Sequence, residues 1–221
     1  GKMIRTQTGE YSVLASKLTL LAKNMRPIPT VKEKEVDGKI IRYDEFSDIE
    51  IRYRKRYLDL LLNPEHKKVF ETRSRIIQGM RDYLNKRAFL EVETPILQPL
   101  YGGANARPFI THHNTLDMDL YLRIATELYL KRLVVGGFER VYEIGKNFRN
   151  EGMDRTHNPE FTALEVYQAY TDLDGMIDIT EGMISTIAQD LFGTQKIDFQ
   201  GTEINLERPW RKASMLELVK E

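Results

Sequence analysis

Between Tyr142 and Tyr170 the chain reads YEIGKNFRNEGMDRTHNPEFTALEVYQAY, and this stretch holds the residues best suited to chemistry. Two segments of alternating character flank a charged loop, the pattern of an antiparallel hairpin. Successive side chains on a strand point to opposite faces. One face of the second segment therefore carries Phe161, Ala163, Glu165, Tyr167 and Ala169, and the other Thr162, Leu164, Val166, Gln168 and Tyr170. A ring, a carboxylate and a phenol stand in a row. On the incoming segment Arg149 and Glu151 share a parity, so a cation and an anion project to one side. The loop adds Arg155, His157 and Asn158, and Pro159 fixes the backbone where the second strand begins. A guanidinium for phosphate or carboxylate and a ring for base stacking suit a nucleotide beside an acid to be activated. The same charge spacing also fits a solvated, salt-bridged face.

Several elements must hold this hairpin in place. From His66 to Arg87 the residues Val69, Phe70, Ile76, Ile77, Met80, Tyr83 and Leu84 recur at helical spacing. They predict an amphipathic helix of about five or six turns, a stripe that ordinary core packing also explains. FLEVETPIL then predicts a strand over Phe89–Glu93, closed by Pro95. Gly102 and Gly103 permit close approach of the backbone to a ligand. His112 and His113 are neighbours on a predicted strand and point to opposite faces, so no metal is assigned to them. Leu120, Leu122 and Ile124 alternate with Tyr121, Arg123 and Ala125 as a strand, and Thr126 fits the N-cap of a helix ended by Gly136-Gly137. Glu127 falls in its first turn, where the helix dipole stabilises a carboxylate. After Tyr170 a helix with Met176, Ile177, Ile179, Ile184, Ile187 and Leu191 apolar precedes a strand pair around IDFQGTEINLERPWRKAS.

The amino end reads as strand, turn at Thr8-Gly9, and strand, with Tyr11, Val13, Leu18, Leu20 and Leu21 apolar. Two or three strands are too few for an independent unit. Pro27 and Pro29 break the pattern, and VKEKEVDGKIIRYDEFSD reads as a linker carrying a small insertion. IEIRYRKRYLDLLLNPE, dense in Arg and Tyr, fits Arg stems and Tyr rings packed at an interdomain seam.

The 221 residues carry 33 Lys plus Arg against 33 Asp plus Glu, so no global basic field announces nucleic acid, although a local patch is compatible with neutrality. The absence of cysteine removes disulfides and cysteine-ligated zinc. No apolar run is long enough to span a bilayer and the amino end has no signal-peptide core, so a soluble, cytoplasmic protein is expected. The chain opens without Met in a strand-like pattern and reads as a piece of a longer protein.

FRNEG, RTHNPEF and ALEVYQAY together resemble motif 2 of the class II aminoacyl-tRNA synthetases, in the form found in lysyl-tRNA synthetases of bacterial type. The long helix followed by a strand ending in Pro resembles motif 1, which implies a homodimer through the helix and strand of residues 66–95. GKMIRTQTGEYSVLASKLTLLAKNMRPIP resembles the end of an OB-fold anticodon-binding domain. The resemblance implies an α+β fold: a class II antiparallel sheet flanked by helices, incomplete here, preceded by the last strands of an OB-fold β-barrel. Its expected boundaries are 1–28 for the barrel remnant, 29–54 for linker and insertion, and 55–221 for the first part of the catalytic domain. The implied activity is ATP-dependent activation of L-lysine to lysyl-adenylate and transfer to tRNA(Lys), with Mg2+ accompanying ATP and no membrane involved.

Carried over residue by residue, the resemblance makes Arg149, Glu151 and His157 the catalytic residues. Arg149 would bridge the α-phosphate and the lysine carboxylate, and Glu151 would touch the adenine amino group or its surroundings. His157 and Asn158 would contact the phosphates and the amino-acid end, while Phe161 would stack under adenine. Gly103 would offer its backbone to the amino acid, Glu127 would take the α-amino group, and Glu165 and Tyr167 would line the lysine pocket. The family usually has Pro where this chain has Thr126, a departure that keeps the adjacent carboxylate. No GxGxGxDR segment, the family's motif 3, occurs, so the magnesium ligands are expected beyond Glu221 and these 221 residues alone are expected not to activate lysine. Competing readings are a relative that charges a protein lysine, which the barrel-like residues 1–25 argue against, and a non-catalytic module that keeps the fold. Aspartyl and asparaginyl relatives share the architecture, but Glu127 and Glu165 suit a basic substrate better.

Overall fold

Short runs of β-branched and aromatic residues around Thr8-Gly9 fold as a hairpin, in which β1 (Lys2–Arg5) pairs antiparallel with β2 (Tyr11–Leu14). Gly9 N–H donates to the Thr6 carbonyl at 2.9 Å to close the turn. Leu18, Leu20 and Leu21, expected to extend this strand pattern, lie in no strand and are exposed. The computed structural model describes residues 1–29, 32–36, 39–43 and 46–220. The expected linker and insertion falls partly at 30–31, 37–38 and 44–45 and there lies outside the described residues. Within that stretch β3 (Lys32–Val36) pairs antiparallel with β4 (Lys39–Tyr43), a second hairpin that the weak periodicity did not reveal. The chain divides into two units, Gly1–Phe70 and Glu71–Glu221.

The first unit also contains α1 (Ile49–Arg54), capped by Asp48, and α2 (Arg56–Leu62). Asp59 of α2 is fully buried, a placement that a charge tolerates only when it is paired. Its carboxylate accepts from Arg52 Nε at 2.8 Å and Asn63 Nδ2 at 2.9 Å, lies 2.9 Å from His66 Nδ1, and also accepts from Arg56. Burial alone would push the carboxyl up, but the hydrogen bonds from Asn63, His66, Arg52 and Arg56 together outweigh it and hold it well below the usual carboxylate range. The Arg-rich segment thus spends two of its guanidiniums on an internal carboxylate.

α3 (Glu65–Asn85) crosses the unit boundary, and its last turns supply Tyr83 and Leu84 to the core of the second unit. β5 (Leu90–Glu91), β6 (Leu97–Gln98), β7 (Ile110–His113) and β8 (Met118–Leu122) follow, then α4 (Glu127–Val135). The central hairpin is β9 (Arg140–Phe148) with β10 (Glu160–Gln168), paired residue for residue from Phe148↔Glu160 to Arg140↔Gln168. α5 (Leu173–Phe192), capped by Asp172, leads to β11 (Lys196–Phe199), β12 (Thr202–Asn205) and α6 (Met215–Leu218). The strands form separate sheets, β10-β9-β5 and β6-β8-β7 among them, and the content is α+β.

One face of the hairpin makes the core. Tyr142, with Ile144, Leu164 and Val166, packs on Tyr83 and Leu84 of α3 and on Ile179, Met183 and Ile187 of α5. The Tyr142 hydroxyl donates to Asn85 Oδ1 and Glu91 Oε2, both at 3.0 Å. Burial first, and then the neighbouring Glu91, pushes this phenol up to about 12. The strand expected over Phe89–Glu93 shrinks to Leu90–Glu91 and runs parallel to β9, an exception to the antiparallel sheet anticipated. After Val92 N–H donates to the Tyr142 carbonyl at 2.9 Å, the backbone leaves the ladder to bring Thr94 to Arg123.

Leu84 is fully buried in this core, so Leu84→Ala is expected to cost about 3 kcal/mol of unfolding free energy in urea denaturation. Asp59 sets a pH dependence. Its folded-state carboxyl titrates below the unfolded value of about 4, so its contribution to stability is complete above that pH and is lost as pH falls below it. Thermal melting followed as pH drops below about 4 should fall more steeply for the wild type than for Asp59→Asn.

Candidate active site

The other face of the hairpin presents chemistry. Because Glu165 pairs with Glu143, Phe161 with Asn147 and Ala163 with Gly145, these side chains share the face opposite the core. Two carboxylates, Glu143 and Glu165, stand directly across from each other, an arrangement that is unfavourable unless each charge is answered.

Arg123, at the end of the β8 segment, answers Glu143. Both side chains are almost wholly buried, and the guanidinium Nη1 donates to Glu143 Oε1. The same Nη1 donates to the Thr94 carbonyl at 3.0 Å, Arg123 Nε donates to the Lys146 carbonyl at 2.8 Å, and Thr94 Oγ1 donates to Glu143 Oε2 at 2.6 Å. The backbone joins in: Arg123 N–H donates to the Ile96 carbonyl and Phe148 N–H to the Arg123 carbonyl, both at 2.9 Å. A Cβ on Gly145 would lie 2.2 Å from Arg123 Nη2, so only glycine lets the guanidinium cross the strand there. Sequence reasoning passed over Arg123, Glu143 and Thr94, whose spacing along the chain gives no local charge pattern. A glycine inside a strand was the signal that something approaches closely.

Glu165 is answered differently. Its Oε1 accepts from the Thr126 backbone N–H at 3.1 Å and its Oε2 from the Tyr167 hydroxyl at 3.1 Å. Burial, followed by the charge and hydrogen bond of Glu165 and the charge of Glu127, raises the Tyr167 phenol, which therefore stays protonated as a donor. Thr126 occupies the N-cap position of α4 as anticipated, but its side chain makes no cap bond, a correction to the expected role. Its backbone is already helical, so the hydroxyl does not turn back to the first free N–H groups. Glu127 heads α4 and its Oε1 accepts from Lys131 Nζ at 2.6 Å. Gly103 has φ +86°, and a Cβ there would sit 2.9 Å from Glu127 Cβ and 3.2 Å from Ala125 Cβ. Gly103, Glu127, Glu165 and Tyr167 therefore gather around the start of α4.

The remaining predicted residues converge at the loop end of the hairpin. Arg149, Glu151, His157, Asn158 and Phe161 line a cavity of about 250 Å³ together with Gly152, Thr156 and Pro159. The Arg149 guanidinium lies 5.1 Å from the Phe161 ring centre, and its Nε is buried with no hydrogen-bond partner among the described residues. Arg149 N–H donates to the Pro159 carbonyl at 2.8 Å, so the pairing continues one step past β9 and fixes this residue. Glu151 Oε1 accepts from the Arg107 backbone N–H at 3.3 Å, a loop contact that no side-chain pattern foretold. His157 Nδ1 lies 2.9 Å from Asp154 Oδ2. Hydrogen bonds from the Thr156 backbone, the His157 side chain, the Thr156 hydroxyl and the His157 backbone hold the Asp154 carboxyl well below the usual range. Asn158 Nδ2 donates to the Glu160 carbonyl at 2.7 Å. Glu165 lies four residue steps beyond Phe161 on β10, about 13 Å along the strand. His112, set aside as a metal ligand, lies 3.1 Å from Asp119 on the neighbouring strand.

The model of the tRNA synthetases class II (D, K and N) matches residues 48–221, a span that includes the whole hairpin and both clusters. The chain belongs to this synthetase family. The chain is 55% identical over 220 residues to the lysine-tRNA ligase of Pelotomaculum thermopropionicum, 100% of this chain and 41% of that protein. It is 53% identical to that of Carboxydothermus hydrogenoformans and 52% identical to that of Clostridium botulinum, covering 100% of this chain and 43% and 42% of those proteins. The chain thus spans about two fifths of the length of these curated relatives. Among the described residues no helix is long and apolar enough to cross a membrane.

In this synthetase domain the buried pair should be intolerant of half-removal. Arg123→Met leaves Glu143 buried and unpaired and is expected to cost about 3–5 kcal/mol, while the double replacement Arg123→Met with Glu143→Met recovers most of that loss in chemical denaturation.

Proposed function

We propose that the full-length protein containing this chain activates L-lysine with ATP and transfers it to tRNA(Lys), as the names of its relatives suggest. The observation that carries this reading is the single face of β10, with an aromatic platform at one end and an acidic, tightly hydrogen-bonded pocket at the other. In this reading Phe161 stacks under adenine, and Glu151 meets the adenine edge. Arg149, whose Nε has no hydrogen-bond partner among the described residues, bridges the α-phosphate and the lysine carboxylate. It holds nucleophile and electrophile together and offsets charge on the phosphorus during attack. The lysine carboxylate bonds to the α-phosphorus as the bond to the β-phosphate oxygen breaks, and pyrophosphate leaves. His157 and Asn158 attend the phosphates and the amino-acid end. The backbone of Gly103, the carboxylate of Glu127, and Glu165 with Tyr167 receive the amino acid, whose buried cation needs an acidic partner.

Magnesium, which the resemblance implies beside ATP, has no converging group of three His, Asp or Glu side chains among the described residues, and no step here depends on it. We further read residues 1–28 as the closing strands of an OB-fold, 29–54 as linker and insertion, and 55–221 as the first part of the catalytic domain, in a cytoplasmic homodimer. Exposure of Val69 and Phe70 on the helix and of Leu90 on the strand supports that dimer face.

ATP–pyrophosphate exchange by the full-length protein, run with each of the twenty amino acids, tests the reading. Exchange confined to lysine is expected, with Glu165→Gln lowering kcat/KM for lysine by about 100-fold or more because a charge-assisted contact is lost. Silence with lysine in a folded protein that binds ATP would sink it.

A further inference from the structure

Asp154 stands in the loop between β9 and β10, and its two carboxylate oxygens have different tasks. Oδ1 accepts from the backbone N–H groups of Thr156 and His157, both at 2.7 Å, and from the Thr156 hydroxyl at 2.9 Å. The Asp154 N–H donates to the His157 carbonyl at 3.0 Å and closes the turn. Oδ2 takes no part in that turn and faces the imidazole, 2.9 Å from His157 Nδ1. Oδ1 lies 3.0 Å from the same nitrogen. The hydrogen bonds, that of the Thr156 backbone first, hold this carboxyl well below the usual range, so it is ionised and both oxygens can only accept. Thr156 Oγ1 is also 3.1 Å from Nδ1, and its proton already goes to Asp154. Each of these oxygens is an acceptor toward the ring, so Nδ1 carries the proton. Nε2 is then the ring nitrogen left for a ligand, and His157 lines the cavity beside Arg149, Glu151 and Phe161.

We infer, on the reading of this cavity as the ATP site, that Asp154 is a positioning residue whose Oδ2 holds the His157 ring in one tautomer and orientation, keeping Nε2 for the nucleotide. A free imidazole divides its proton between two nitrogens and turns about its side-chain bonds, and ordering it on binding costs affinity. Asp154 orders it beforehand. The turn itself needs only Oδ1, so the second oxygen is explained by the ring.

The test uses the full-length protein with Asp154→Asn, His157→Ala and the double replacement. Asparagine keeps an oxygen for the turn and places an N–H donor where Oδ2 faced the ring, which favours the opposite tautomer. Asp154→Asn is expected to lower kcat/KM for ATP in pyrophosphate exchange roughly tenfold, with the same split between kcat and KM as His157→Ala and an unchanged melting temperature. Adding Asp154→Asn to His157→Ala should change kcat/KM by less than about twofold, because the ring it orients is gone. Wild-type kinetics for either single variant, or a tenfold loss from Asp154→Asn that persists without the imidazole, would overturn the positioning role and leave the lysine reading intact. A wild-type protein that shows no lysine-dependent exchange would instead bring down that reading and the positioning role with it.

Discussion

The buried pair of Arg123 and Glu143 is the constraint on which the rest of the second unit depends. Its guanidinium gathers the Thr94 carbonyl, the Lys146 carbonyl and the Glu143 carboxylate, joining three stretches of chain that are far apart in sequence. A buried charge needs every hydrogen bond it can make, so the geometry of these three stretches is fixed together. That fixing places Thr126, three residues after Arg123, where its N–H reaches Glu165. The acidic pocket is thus held by an ion pair that does not belong to it.

Charge balance explains why two facing glutamates coexist. Glu143 is neutralised from below by Arg123 and takes no part in the open pocket, whereas Glu165 is held by neutral donors, one backbone N–H and one phenol. Neutral donors orient a carboxylate without cancelling its charge. Among the described residues Glu165 has no cationic partner, and the raised phenol of Tyr167 stays a donor beside it. At the other end of the strand the positive guanidinium of Arg149 lies over the Phe161 ring, so the face carries carboxylates near α4 and a guanidinium near the loop.

Much of this was legible because period-two alternation is a geometric property of strands. The sorting of Phe161, Glu165 and Tyr167 from Leu164 and Val166 follows from parity alone, and the observed register agrees with it. The helices α3 and α5 were visible for the same reason at the helical period. What parity cannot see is pairing between distant segments. Arg123 and Asp59 look like ordinary surface charges in the sequence, and only their burial reveals their use. The hairpin of β3 and β4 was hidden by charged residues, although Asp37-Gly38, a pair favoured in two-residue turns, stands between the two strands in the sequence. Parallel pairing of β5 depends on where Thr94 must go, which is again a distant constraint.

The residue-for-residue ladder of β9 and β10 carries a consequence for error. Because side chains alternate with a period of two, sliding one strand past the other by a single residue would exchange its faces. Glu165 and Tyr167 would then be driven against Tyr83, Leu84 and Ile179, and Leu164 and Val166 would be turned into the polar cleft. No half-formed version of the site lies between those two states. The hairpin behaves as a key with one seated position, and a misfolded copy would be blank rather than promiscuous.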